Sequence, residues 1–405
     1  MQSGLRVGSL FGIPFFIDPS WFGVLILVAI TWGRPWQAEF PQWGAGMAYA
    51  AGMLMALLLF ASVVLHELGH SLVARSQGIK VNSITLFLFG GIASIEQESK
   101  TPGKAFQVAI AGPLVSFGLS ALLGLLAAII PNNTNPVTVI IANLAVINLV
   151  LALFNLIPGL PLDGGQILKA AVWKFTGDRF QGVHWGARAG KLLGWLAILL
   201  GLSWFLRGAA SGLWLILLGW FGVRNATNYD RLTDLQETLL KIKAADAMTR
   251  EFRVVDADMT LRQFADTYVL DTARLGIYFA ASDGRYRGMV TVEDLHHIER
   301  SQWDTQTLHH IVRPLTTIPT VTEPTSMVDV IQKMESHQLK QITVLSPAGA
   351  VAGVIDRGDV VRALTQKMNI PISDTLIKQI KQDGAYPPGF QLGAIAQAAA
   401  EATSR

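Results

Sequence analysis

Long apolar runs broken by short polar stretches fill the first 223 positions, and the pattern changes abruptly beyond Asn225. A bilayer core takes about 20 residues of helix. Six runs approach that length: 19–33, 45–68, 106–130, 137–158, 190–206 and 209–223. Only Arg207 and Gly208 separate the last two, so they read as a tight hairpin. Between the second and third, VNSITLFLFGGIAS (81–94) is too short to cross as a helix and rich in β-branched and aromatic residues. It reads as a strand or hairpin dipping into the membrane face, which lipid tolerates where protein covers the backbone or a wet cavity adjoins it. The N-terminal MQSGLRVGSLFGIPFFIDPSW lacks the small-residue pattern of a cleavage site and is expected to run straight into the first span.

Past a linker helix at 225–243, soluble patterning takes over and repeats. Asp258, Thr260, Gly288 and Asp294 recur as Glu323, Thr325, Gly353 and Asp359, each 65 positions later. Each unit closes on an apolar strand, YRGMVTVEDL or VAGVIDRGDV, that leads into a helix. With units at 244–300 and 301–368, this pair resembles tandem CBS domains. The resemblance implies α/β modules that pair into a Bateman unit and often bind adenine nucleotides. The tail, 369–405, has no predicted structure. The fold class is therefore an α-helical polytopic membrane domain over 1–224, with about six spans and a small re-entrant β element, followed by an α/β tandem CBS domain.

Composition agrees: 51% of residues are hydrophobic and 15% charged, too oily for an ordinary soluble enzyme. Up to Val223 the acidic residues are only Asp18, Glu39, Glu67, Glu96, Glu98, Asp163 and Asp178. Arg75, Lys80, Lys100 and Lys104 follow span two, and Lys169, Lys174, Arg179, Arg188 and Lys191 follow span four, against Arg34 and Arg207 in the opposite loops. By the positive-inside rule both termini and the CBS pair are cytoplasmic. The absence of cysteine leaves His, Asp and Glu as metal ligands, and nothing in the charge pattern suggests nucleic-acid binding.

Span two ends in HELGH, residues 66–70. Helical residues four apart share a face, so His66 and His70 can direct ring nitrogens to one ion. Glu67, about 100° around the helix, can hold a water that the ion polarises. An ionisable residue at depth costs about 2.5–3.5 kcal/mol on insertion scales and usually persists for function. A catalytic zinc takes a third protein ligand and keeps one open position. Asp163 is the best candidate, at matching depth on span four after Pro158 and Pro161 have broken the helix. Asp18, Glu96 and Asp178 lie at predicted boundaries and are poorer ones.

HELGH in span two together with NLIPGLPLDG (155–164) in span four resembles the site-2 protease family of intramembrane zinc metalloproteases, in its branch with a C-terminal CBS pair. The resemblance implies one Zn²⁺ on His66, His70 and Asp163, with Glu67 as catalytic base and Asn155 stabilising the tetrahedral intermediate. It implies that Gly90 and Gly91 lie on a strand whose edge receives substrate, and that AGPLVSF (111–117) is the family's Gly-Pro segment, which reads as packing. Asn148, one heptad before Asn155, is expected in a polar contact between helices. The implied substrate is a single-span membrane protein, of the anti-sigma factor or membrane-tethered transcription factor type, and the CBS pair offers a homodimer interface.

Two positions depart from the family. Asp18 stands where this branch more often has histidine, and Asp356 stands where CBS nucleotide sites usually carry Ser or Thr, which sets a carboxylate near phosphates. Thr291 and Asp294 in the first unit and Asp359 in the second remain candidates for nucleotide, with a plain helix-start role as the alternative. The pairs His296/His297 and His309/His310 read as surface or packing residues. The competing functions are a CBS-regulated transporter and an inactive substrate-binding scaffold. A transporter predicts related membrane halves or helices broken at the midplane, neither of which the sequence displays.

Overall fold

The computed structural model describes residues 4–87, 90–130, 134–269, 278–387 and 391–403. The chain divides between Thr233 and Asp234 into two units. The first begins with β1 (Leu5–Leu10) and β2 (Ile13–Ile17), an antiparallel hairpin that turns at Phe11 and Gly12, both at positive φ. Helices α1 (Ser20–Glu39) and α2 (Gly44–Ser76) follow, then β3 (Val81–Phe87) and β4 (Gly90–Ile95). The four strands form one sheet in the order β1-β2-β3-β4, with β2 parallel to β3 and β4 at an edge. The strand expected within 81–94 is thus the antiparallel pair β3 and β4. The N-terminal hairpin was not predicted, because a short apolar run such as IPFFI gives no period that separates strand from helix.

Helices α3 (Pro102–Ile129), α4 (Pro136–Asn155), α5 (Asp163–Thr176), α6 (Arg179–Leu206) and α7 (Ser211–Lys241) complete this part. Among the described residues, four stretches are helical, long and apolar enough to cross a membrane: Pro41–Ser76, α3, α4 and α6. The predicted six are not reached on those criteria. Helix α1 carries Arg34 and Glu39, and α7 turns polar after Val223, although both are helical where the other two spans were expected. Helix α6 starts before the predicted 190, where Asp178 caps it through the backbone N–H groups of Phe180 and Gln181. The separate linker helix at 225–243 is instead the second half of α7. Helix α2 is the packing centre: Ala51 and Met55 join Trp36 and Leu144 in one cluster, and Leu68 and Ala74 meet Ile13, Phe15 and Ile84 of the sheet in another.

The second unit contains two copies of one motif. After α8 (Ala244–Ala247), the first runs β5 (Arg253–Asp256), α9 (Leu261–Phe264), β6 (Tyr278–Ser282), β7 (Arg285–Val290), α10 (Val292–His296). The second runs β8 (Thr320–Thr322), α11 (Met327–Ser336), β9 (Gln341–Leu345), β10 (Val351–Asp356), α12 (Arg357–Lys367). Each three-stranded sheet has its middle strand parallel to the first and antiparallel to the third. Phe279 of the first copy packs on Val351 and Val354 of the second. The tail, unread in the sequence, forms α13 (Asp374–Asp383) and α14 (Leu392–Thr403), and Ile380, Leu392, Ala396 and Ala399 are part of the second copy's core.

Candidate metal centre

Helix α2 runs unbroken through HELGH, so its 3.6-residue period stacks His66 over His70 with both rings buried. The chain leaves α4 at Asn155, is stopped by Pro158 and Pro161, and re-enters helix at Asp163, the first residue of α5. The Asp163 carboxylate meets both rings. Its Oδ2 lies 3.0 Å from His66 Nε2 and its Oδ1 3.3 Å from His70 Nε2, while the two Nε2 atoms are 3.3 Å apart. Four tetrahedral ligands at about 2.0–2.1 Å from a zinc ion stand about 3.3 Å from one another, and one ligand atom from each of these three residues lies within 4.8 Å of the other two, close enough to share an ion.

The donor chemistry fits a cation as well. His70 Nδ1 is 2.7 Å from the Val108 carbonyl, which can only accept, so Nδ1 carries the proton and Nε2 of the neutral ring is bare. His66 Nδ1 is 2.9 Å from Ser116 Oγ. Two imidazole nitrogens and a carboxylate thus converge on one point, and a neutral His70 has no Nε2 proton to share there. In their neutral forms the rings can turn these nitrogens to a metal ion, and the Nδ1 contacts orient them for it.

Residues 108, 112 and 116 share one face of α3, and that face covers the rings. A Cβ at Gly112 would sit 2.2 Å from His70 Nε2 and 2.6 Å from His66 Nε2, which is about where an ion has to be. The Gly-Pro segment therefore borders the centre, which its reading as packing missed, along with Ser116 and the Val108 carbonyl. The i, i+4, i+8 spacing was visible, but not which face of α3 turns to α2. Gly91 of β4 is similarly tight, since a Cβ there would lie 2.6 Å from Glu67 Cγ. The Glu67 side chain thus lies between the ligand helix and an exposed sheet edge.

The other candidates are placed elsewhere. Asn155 ends α4 half-buried, its side chain without a hydrogen bond among the described residues. Asn148 Nδ2 donates to Ser62 Oγ at 3.0 Å, the expected bond between helices. Of the alternatives to Asp163, Asp18 accepts from the Ser20 backbone and hydroxyl at the start of α1, Glu96 pairs with Lys80, and Asp178 caps α6. In the second unit Thr291 and Asp294 form a capping box on α10, and Asp356 and Asp359 form its counterpart on α12. Asp356 thus does for α12 what threonine does for α10. Asp294 is also bound by Arg313, with Nε at 2.8 Å, and Asp359 by Lys381 at 2.8 Å and Arg362 at 3.1 Å. His296, His297, His309 and His310 are exposed, as expected of surface residues, and His309 pairs with Asp258.

A model of peptidase family M50 matches residues 54–133 and 132–197, and a CBS domain model matches 244–299 and 310–366. The chain is 43% identical over 366 residues to the candidate zinc metalloprotease sll0528 of Synechocystis sp., covering 90% of this chain and 96% of that protein. It is 31% identical over 365 residues to the zinc metalloprotease MJ0392 of Methanocaldococcus jannaschii, covering 90% and 97%. Among solved structures, a site-2 protease from the same archaeon matches with 31% identity and a TM-score of 0.42, over 56% of this chain and 95% of that one.

Proposed function

The chain belongs to peptidase family M50, the site-2 proteases, and on that premise we propose that it hydrolyses a peptide bond in or near the transmembrane segment of a single-span membrane protein. It is an integral membrane zinc metalloprotease with tandem CBS domains. The observation that carries the finer reading is the convergence of His66, His70 and Asp163 at 3.0–3.3 Å, with Glu67 lodged against the edge strand at Gly91.

In this reading His66, His70 and Asp163 would hold one Zn²⁺, which would supply the Lewis acidity that makes a water easier to deprotonate at neutral pH. Glu67 takes a proton from the attacking water and returns it to the leaving amine. The Ser116 hydroxyl and Val108 carbonyl keep the two rings oriented. A substrate helix hides its scissile carbonyls in its own hydrogen bonds and has to unwind. The β4 edge at Gly90 and Gly91 offers it a strand to pair with, and Asn155 is assigned a hydrogen bond to the developing oxyanion. The basic loops support a cytoplasmic position for the centre, both termini and the CBS pair, and substrates of the anti-sigma factor or membrane-tethered transcription factor type fit that position. Adenine nucleotide regulation falls to the first CBS copy, because Arg313 on Asp294 is half exposed and more easily displaced than the largely buried Lys381 on Asp359. A homodimer through the CBS pair belongs to the same proposal.

The test is Glu67→Gln in the full-length protein, reconstituted with a single-span substrate. Metal content stays at one per chain, while cleavage falls by a factor on the order of 10²–10⁴. Undiminished cleavage with the metal in place removes Glu67 from the chemistry and the proposal with it.

A further inference from the structure

One face of α6 carries the segment that leads into Asp163. Gly182, Gly186 and Gly190, four residues apart, leave that face so low that backbone lies directly on it. A Cβ at Gly190 would stand 2.1 Å from the Leu160 carbonyl oxygen, and one at Gly182 would stand 2.5 Å from the Lys169 carbonyl oxygen of α5. The Leu160 N–H donates to the Gly186 carbonyl at 3.1 Å, and its buried side chain packs on Val183 and Ala187. Between Leu160 and Asp163 the turn is closed twice, by the Leu162 N–H on the Gly159 carbonyl at 3.0 Å and by the Gly165 N–H on the Leu162 carbonyl at 2.9 Å. Backbone packed on backbone has no flexible side chain between to absorb a displacement, so the position of α6 is passed on to the Asp163 carboxylate.

A second face of α6 holds α7. His184 and Lys191 stand a heptad apart, and both reach Asp230 of α7: His184 Nδ1 donates to Oδ1 at 2.6 Å and Lys191 Nζ to Oδ2 at 2.6 Å. Both oxygens of a carboxylate that is only 21% exposed are thus bound by the neighbouring helix. Apolar side chains on two helices can slide past one another, whereas a carboxylate held at both oxygens fixes one register. This clasp lies three residues before the division at Thr233, and α7 itself continues to Lys241.

We propose that Asp230 is a positioning residue for the metal centre: by clasping α7 to α6 it makes the second half of α7 and the Asp163 carboxylate shift together, so that a change beyond Thr233 is felt at the ligands. The coupling rests on the reading that His66, His70 and Asp163 hold Zn²⁺. Coupling between two places in a molecule is reciprocal, so metal loading is felt along α7 in turn. It can therefore be measured from the metal end, with neither a substrate nor a CBS ligand in hand.

The experiment is amide hydrogen exchange, followed by mass spectrometry, on the full-length protein in detergent, metal-free and loaded with Zn²⁺. In the wild type, Zn²⁺ slows exchange about tenfold over 159–165 and also over 225–241. Asp230→Ala, which leaves a good helix former in α7, binds Zn²⁺ and keeps the slowing over 159–165 but loses it over 225–241, and Lys191→Met reduces it there. A clasp that only holds the helices together would change α7 exchange equally with and without metal. That result, or full slowing over 225–241 in Asp230→Ala, overturns the proposal. Zn²⁺ bound by the wild type with 159–165 protected and α7 indifferent overturns the coupling alone, whereas a wild type that takes up no Zn²⁺ overturns the reading of the centre itself.

Discussion

One methyl group at position 112 would stand between the two ring nitrogens, 2.2 and 2.6 Å from them. Gly112→Ala is therefore expected to reduce bound metal to below about a tenth of wild type, the distances being shorter than any carbon–nitrogen contact allows. Elemental analysis measures the loss, and unchanged far-ultraviolet circular dichroism shows that the helices persist. Ser116→Ala acts more gently. It removes the partner of His66 Nδ1 and should weaken metal binding about 10–100-fold, read by competition with a chelator. Gly91→Ala displaces Glu67 and leaves the ligands alone, so cleavage falls while metal content holds. At this scale HELGH and Asp163 were legible, because helix phase and depth along a span are local properties. Gly112 and Ser116 were not, since their importance depends on how α3 is rotated against α2.

Helices α6 and α7 meet along a seam of glycines a heptad apart: Gly194 faces Gly219, and Gly201 faces Gly212. A Cβ at Gly212 would lie 2.3 Å from the Gly201 carbonyl oxygen, whereas one at Gly222 of the same helix meets nothing within 4 Å. Gly212→Val should destabilise the fold by about 1–3 kcal/mol and lower the thermal midpoint in detergent, and Gly222→Val serves as the control that does not. The predicted helical hairpin contained this seam, but its register needed the pairing. In the loop between β4 and α3, Glu98 pairs with Lys169 of α5 and with Arg179 of α6 at 2.9 Å. Packing against the protein works to raise the Glu98 pKa although the side chain keeps solvent contact, and the Lys169 and Arg179 charges more than reverse it, so it lies below the usual glutamate value. With the folded pKa depressed, the stabilisation is full above the unfolded value of about 4.3 and is lost as pH falls through the folded one. Thermal midpoints of wild type and Glu98→Gln should converge at acid pH and separate above it.

Across the whole chain, the tail is where the sequence said least and the structure most. Lys381 of α13 places its ammonium 2.8 Å from Asp359, 3.2 Å from Asp356 and 3.0 Å from Glu251, and it alone of these comes from beyond the repeat. Lys381→Met leaves Arg362 as the cation beside the buried Asp359. Losing the charged hydrogen bond should destabilise the second copy by about 1–2 kcal/mol, seen as faster amide exchange in α12 of the full-length protein. Four of the six expected membrane segments, the HELGH pair and the 65-residue repeat were determined by the sequence alone, because apolar length, helical period and repetition are carried by neighbouring residues. Only the tertiary structure decided that 13–17 forms a strand beside 84–86, that the 108–112–116 face of α3 closes over the rings, and that Lys381 neutralises the second copy's acids. Each is a meeting of residues far apart in the chain, and no local pattern names the partner.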